Sequence, residues 1–179
     1  MTLETVRLVL APWQAADWTA FRPIATDPEV MRYITGGVAW TDEQIRSFVD
    51  RQVKLYLGRG FCRWKLVEKA SEELIGFCGV GFWKDSTAPE IGWWLARHWW
   101  GRGLAPEAAT AALGDAFGRV GLRRLISVAE RENRASIRIM QKLGLTFERE
   151  FEAEGCELVQ YAMERAQWAG QRRASEGCG

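Results

Sequence analysis

Apolar residues recur along this chain with two periods, and the points where one gives way to the other divide it into elements. Short apolar runs or alternation predict strands over residues 6–10, 61–67, 74–82 and 91–95, the middle two joined through the polar stretch 68–73. Between the first and second of these, Trp18, Phe21 and Ile24 suit a short amphipathic helix starting near Asp17. Thr41 followed by Gln44 is a capping-box signature, and Ile45, Phe48, Val49, Gln52 and Leu55 then mark one face of a longer helix ending near Gly58. Three strands in succession after that helix predict an antiparallel meander.

Downstream the pattern changes. A glycine loop at 101–105 leads into a helix over 105–120, with Leu104, Ala108, Ala112, Leu113, Ala116, Phe117 and Val120 as its buried stripe. A strand at 125–128 follows, then a short helix over 136–143 stopped by Gly144, the residue type expected just past a helix end. Strands near 147–151 and 157–163 complete the set. The fold class is α/β in the α+β sense: antiparallel at first, then one strand, loop, helix, strand unit that sets two strands parallel. No repeat or linker divides residues 1–164, which predict one domain. Residues 165–179 hold Trp168 as their one large apolar side chain and predict a flexible tail.

Composition narrows the function classes. At 179 residues, 47% apolar and 26% charged, the chain has the make-up of an ordinary globular domain. Its 24 Lys and Arg against 23 Asp and Glu leave a formal charge of +1, which offers no field for a polyanion, so no nucleic acid partner is expected. The first ten residues lack a basic leader with an apolar run, and no stretch of about eighteen apolar residues occurs, so neither export nor a membrane partner is expected. Cys62, Cys78, Cys156 and Cys178 show no metal spacing and read as free thiols of a cytoplasmic protein with no bound metal. His98 is the single histidine, which argues against a nucleophilic site that needs an imidazole base. Chemistry here falls to carboxylates, hydroxyls and backbone.

The segment from Glu90 through Trp100, Gly101, Arg102, Gly103, Leu104 and Ala105 to Pro106 packs a strand, a glycine turn and a helix start into a short span, with Pro106 suited to the first helical turn. Glycines let backbone approach a ligand, and the unpaired amides of a helix start favour an anion such as pyrophosphate. The same glycines serve equally for a tight turn with no ligand. The Gly-Lys-Ser/Thr ending of a Walker loop is missing, and Pro106 stands where a dinucleotide fingerprint needs glycine or alanine.

These residues resemble a known family. The run from Trp100 to Ala105 is similar to the coenzyme A loop of the GNAT N-acetyltransferase superfamily, with Trp100 where Arg or Gln is usual. Further matches lie in residues 5–8, 27–33, 90–95, 133–136 and 142–144, the last followed by Leu145 where phenylalanine is common. Together they resemble the RimJ/RimL-like branch that acetylates ribosomal-protein N-termini. The resemblance implies a mostly antiparallel mixed sheet of about six to seven strands, flanked by helices and splayed at an acetyl-CoA site. It implies that Leu95 pairs with pantetheine through its backbone, with Trp100, Gly101, Arg102, Gly103, Leu104, Ala105 and Asn133 completing the cosubstrate site. It also implies direct attack by an amine acceptor, with Glu90 as base and Ser136 as a hydroxyl donor beside the departing thiolate. Glu90 also reads as an ordinary strand-end carboxylate, and Asn133 and Ser136 as local helix caps.

A peptide N-terminal α-amine, of pKa about 7.7–8.0, is the favoured acceptor over a lysine amine near 10.4, because more of it is neutral at pH 7. A small cationic amine (polyamine, amino acid or aminoglycoside) is the alternative, and a non-catalytic acyl-CoA-binding module is the alternative outside catalysis. Glu148, Glu150, Glu152 and Glu154 alternate with Phe147, Arg149, Phe151 and Ala153, which predicts four carboxylates on one strand face, suited to attracting such a cation. A homodimer is the self-association to expect, if there is one.

Overall fold

Local signals fix the helices where the sequence offers caps. In the computed structural model, which describes residues 1–83 and 87–176, the Thr41 backbone N–H donates to Gln44 Oε1 at 2.8 Å and the Gln44 N–H donates to Thr41 Oγ1 at 3.2 Å. The helix they open, α3 (Asp42–Arg59), runs on to a left-handed Gly60 (φ 73°), one residue pair beyond the expected stop, and buries Ile45, Phe48, Val49 and Gln52. Ahead of it lie α1 (Trp18–Ala25) and a one-turn α2 (Pro28–Met31) that periodicity does not reveal.

Among the described residues, eight strands form one sheet: β1 (Leu3–Glu4), β2 (Leu8–Ala11), β3 (Arg63–Glu68), β4 (Leu74–Phe82), β5 (Pro89–Leu95), β6 (Arg124–Glu130), β7 (Thr146–Ala153) and β8 (Cys156–Glu164). Their spatial order is β1-β2-β3-β4-β5-β6-β8-β7. The count exceeds the expected six to seven because of the two-residue β1. Every neighbouring pair is antiparallel except β5 and β6, which the loop and helix α4 (Leu104–Gly114) connect in parallel. The helix expected to run to residue 120 stops being α-helical at Gly114 and continues as a π turn, Asp115–Arg119.

Side chains alternate across β4 and β5, so Phe77 and Trp94, which are register partners, share a face. On that face Phe77 and Trp94 lie 5.0 Å apart between ring centroids, with Phe48 from α3 at 5.1 Å from Phe77 and Trp40 at 4.9 Å from Trp94. Burying each such ring contributes about 1.5–3 kcal/mol, so this aromatic layer anchors α1 and α3 to the sheet. The opposite face is covered by α4 through Ala108, Ala109, Ala112 and Leu113. Behind β6, helix α5 (Arg134–Lys142) is followed, two residues on, by a left-handed Gly144, the stop its sequence predicts.

Two expectations are corrected. Residues 165–176, expected within a flexible tail, form helix α6 (Arg165–Glu176), with the Trp168 ring tilted against Phe117 at 5.6 Å between centroids and Gln167 donating to the Gly144 carbonyl at 2.8 Å. The row of four glutamates does not exist. A bulge sets Phe147 opposite Tyr161 and Arg149 opposite the adjacent Gln160, so Glu148 is the extra residue. Glu148 therefore joins Arg149 and Phe151 on one face while Glu150 and Glu152 point to the other, and Glu154 sits in the hairpin turn with φ 53°.

Candidate active site

Strand β5 supplies the site because it loses its neighbour partway along. The β5–β6 ladder registers Glu90 opposite Ile126 and goes no further. Ser127 extends the join by donating its hydroxyl to the Ile91 carbonyl at 2.9 Å. Since the Ala96 N–H is bonded to β4, at the Ile75 carbonyl, alternation turns the N–H and C=O of Trp93 and Leu95 the other way, into the widening gap toward β6. Within this gap the Leu95 carbonyl already accepts the Trp100 indole N–H at 2.8 Å. Trp100 thus holds the Leu95 carbonyl, a structural task, while the Leu95 N–H, which belongs to the preceding peptide, faces the gap. Of the adjacent Trp93 and Trp94, it is Trp94, opposite Phe77, that joins the aromatic layer.

At the open end of the gap stands the glycine loop. Gly101 (φ 73°) and Gly103 (φ 75°) are both left-handed, and Gly103 is the N-cap of α4, whose Leu104 is buried and Ala105 half-buried. Arg102 lays its guanidinium over the Trp99 ring at 4.6 Å. The loop is pinned from a distance by Arg7, which donates to the Arg102 carbonyl at 2.8 Å and to Glu107 Oε2 at 2.7 Å. Glu107 Oε1 also accepts from the Thr5 hydroxyl at 2.6 Å and the Arg7 N–H at 2.9 Å. Burial pushes the Glu107 carboxyl up, but these bonds outweigh it and hold the group below the usual carboxylate range. Arg7 and Glu107 escape a reading of the loop alone, although the former lies in a segment that already resembles the family.

Glu90 occupies the closed end. Its side chain is 5% exposed, and its carboxylate meets Arg63 Nη2 at 2.5 Å and accepts the Val128 backbone N–H. That N–H belongs to the part of β6 that β5 no longer reaches, so Glu90 satisfies a donor the parted ladder leaves behind. Burial pushes the Glu90 carboxyl up, opposed by the Arg63 charge and hydrogen bond. Arg63 is the residue that sequence reasoning misses. It starts on β3 and crosses β4 to reach β5 along a lane of glycines: a Cβ on Gly81 would lie 2.9 Å from the guanidinium, and one on Gly92 3.8 Å from Nε. The Arg63 backbone is held by Gln52, which accepts its N–H at 3.0 Å, and by Trp13, whose indole donates to its carbonyl at 2.5 Å.

Asn133 and Ser136 lie beyond the end of β6, at the start of α5. Asn133 Oδ1 accepts the Ser136 N–H at 3.1 Å, an N-cap bond. Ser136 is half-buried and its hydroxyl has no partner among the described residues. The structure thus gathers Leu95, Trp100 and residues 101–105 at one end of the gap, and puts Glu90 at the other. Asn133 and Ser136 border the β6 side.

Comparison with known proteins matches residues 7–146 to the acetyltransferase (GNAT) domain model. The chain is 30% identical over 145 residues to the uncharacterized N-acetyltransferase YnaD of Bacillus subtilis, spanning 81% of this chain and 82% of that protein. Among solved structures, a GNAT-family acetyltransferase from Bacillus anthracis superposes with a TM-score of 0.78 at 27% identity, over 93% of this chain and 99% of the other. RimL, a ribosomal L7/L12 α-N-protein acetyltransferase solved in complex with coenzyme A, superposes with a TM-score of 0.75 at 17% identity, over 92% and 98%, and shares the fold.

Proposed function

Because the chain belongs to the GNAT acetyltransferase family, we propose that this acetyl-CoA-dependent acetyltransferase acts on the α-amine of a peptide or protein N-terminus, in the manner of the RimJ/RimL-like branch. The observation that carries the reading is the parting of β5 from β6, with a glycine loop at its open end and a buried carboxylate at its closed end. Residues 101–105 hold the pyrophosphate on backbone amides, with Arg102 beside it and Asn133 across the gap. The Leu95 N–H is aimed where the thioester oxygen gains charge, an effect commonly worth about 3 kcal/mol for one such donor.

In the transfer, the lone pair of the neutral amine attacks the thioester carbon and the oxygen takes the negative charge. Reforming the carbonyl expels the coenzyme A thiolate. The proton lost by the attacking nitrogen goes to Glu90, directly or through water, and on to solvent, while the Ser136 hydroxyl donates a hydrogen bond to the departing thiolate. An α-amine with a pKa of about 7.7–8.0 needs this help less than a lysine amine does. The small cationic amine loses its support, since the glutamates that would attract it lie on two faces of β7 and in a turn. A cytoplasmic location belongs to the same reading and is supported by the buried, free thiols of Cys62 and Cys78.

Incubating the protein with acetyl-CoA and short peptides bearing free N-termini should release coenzyme A thiol and add one acetyl group at the α-amine. Release with polyamines or aminoglycosides and none with peptides overturns the acceptor, and absence of release with every amine leaves the binding module. Cys62 adds nothing to the thiol signal, because burial, with Asp115 nearby, pushes its thiol up to about 12. The cosubstrate assignment has its own test. Gly103→Val forces a β-branched residue into a left-handed φ at the helix cap, and calorimetry should show acetyl-CoA affinity at least about tenfold weaker with the fold retained. Unchanged affinity would remove the loop from the site.

A further inference from the structure

The face of the sheet that carries Glu90 is closed over at its far side by an aromatic contact that the sheet order alone does not predict. Trp83, just past β4, meets Phe151 of β7 edge to face, with ring centroids 5.6 Å apart and an interplanar angle of 87°. Strands β5, β6 and β8 lie between them, and four ladder steps of about 4.8 Å would hold them roughly 19 Å apart in a flat sheet. The sheet must therefore curl until the ends of its two hairpins meet over β6 and β8. Register places Phe151 on Glu90's own face: Glu90 stands opposite Ile126, Ile126 opposite Ala162, and Gln160, two residues from Ala162, opposite Arg149. Phe151, two residues beyond Arg149, points the same way.

Inside this arch Arg149 is held in a defined pose. Its guanidinium lies over the Phe151 ring at 4.7 Å, and its Nε and Nη2 both donate to Gln160 Oε1, at 3.3 and 3.0 Å. Gln160 is 7% exposed, and its amide nitrogen donates to Glu148 at 2.5 Å. Glu148 is in turn engaged by Arg124, which also binds Glu164 at 2.8 Å. The relay pairs the charge of Arg124 twice over and gives Arg149 a neutral carbonyl oxygen. Among the described residues no carboxylate lies within ion-pair distance of Arg149, and the residue is exposed. A guanidinium so oriented has lost little freedom still to lose, and its remaining N–H groups suit a carboxylate.

We infer that Arg149 is the acceptor-recognition residue of this enzyme and that the acceptor peptide carries an acidic side chain at its second or third position. The inference rests on the N-terminal acceptor reading above. Val128, whose N–H holds the Glu90 carboxylate, stands opposite Gln160, which stands opposite Arg149. Two ladder steps, about 10 Å, thus separate the strand of Val128 from the strand that bears Arg149, and the Glu90 carboxylate lies one hydrogen bond, about 3 Å, further. An extended peptide covers about 3.3–3.6 Å per residue, so an amine at Glu90 brings the second or third side chain to the guanidinium.

The test compares N-acetylation of peptides that differ only by Glu or Gln at positions two and three. The native enzyme should favour the Glu peptide at least tenfold in kcat/KM, chiefly through KM, and added salt should shrink the preference. Arg149→Gln should abolish the preference, so that the Glu and Gln peptides are used equally while the KM for acetyl-CoA is kept, and Arg149→Lys should keep part of the preference. Equal use of both peptides by the native enzyme, or a preference that survives Arg149→Gln, overturns the inference. Acetylation of other amines but of neither peptide overturns the acceptor reading beneath it, a distinguishable result.

Discussion

Arg63→Met destabilises the folded chain at pH 7 by about 3–5 kcal/mol, the usual cost of removing one member of a buried ion pair. The loss arises because Glu90 is left charged, buried and held by one backbone N–H. Without Arg63 the carboxyl rises further above its unfolded value of about 4.3. A folded pKa raised in this way means that stability is fully present below the unfolded pKa and is lost as pH rises through the folded one. Urea denaturation should therefore find the variant closest to the native chain near pH 4 and farthest from it at neutrality. Adding Glu90→Gln to Arg63→Met should recover part of the neutral-pH loss, since no buried charge remains unpaired. A deficit of equal size at both pH values would mean that Arg63 acts by packing across its glycine lane alone.

Glu90→Gln should lower turnover by about 10²-fold or more, in the range that removal of a general base commonly costs. The amide keeps the shape and still accepts the Val128 N–H, but it takes no proton. The native rate should climb once pH passes the raised Glu90 pKa, because the ionised carboxylate can then accept a proton from an acceptor that is mostly ammonium. In the variant the climb should wait for the amine itself, near pH 7.7–8.0 for an α-amine. The deficit is thus greatest between those two values and narrows in alkali. Steady-state kinetics from pH 6 to 9, with acetyl-CoA affinity measured alongside, check this. A constant ratio of rates across that range would take the proton away from Glu90.

The parts of this site legible in the sequence are those written within one element or its junctions. Gly101, Gly103 and Pro106 spell out a loop and a helix start because neighbouring residues must satisfy left-handed turns and caps together. Thr41 with Gln44, and Gly144 after α5, are legible for the same reason. Arg63 is not, since its partner is 27 residues away across an intervening strand. The trace it leaves is indirect: glycines at 81 and 92, which clear the path a long side chain takes. Period-two reasoning failed at β7 because a bulge inserts one residue without changing the letters around it, and every assignment on one side of Glu148 then changes face. Composition does not show α6, whose contacts come from single residues, Trp168 on Phe117 and Gln167 on Gly144.

The gap between β5 and β6 amounts to a pair of unpaired strand edges in the middle of a sheet, the feature that on an outer rim invites other chains to add a strand and aggregate. Here the two edges confront each other, joined at the bottom by Glu90 opposite Ile126 and flanked at the top by the glycine loop. An ordinary polypeptide strand entering from outside would need side-chain room on both faces, and α4 occupies one of them. A thin chain with amides and no side branches of that kind fits the geometry that a foreign β-strand does not. The fold can in this way keep its sticky backbone exposed for catalysis without offering it to other proteins.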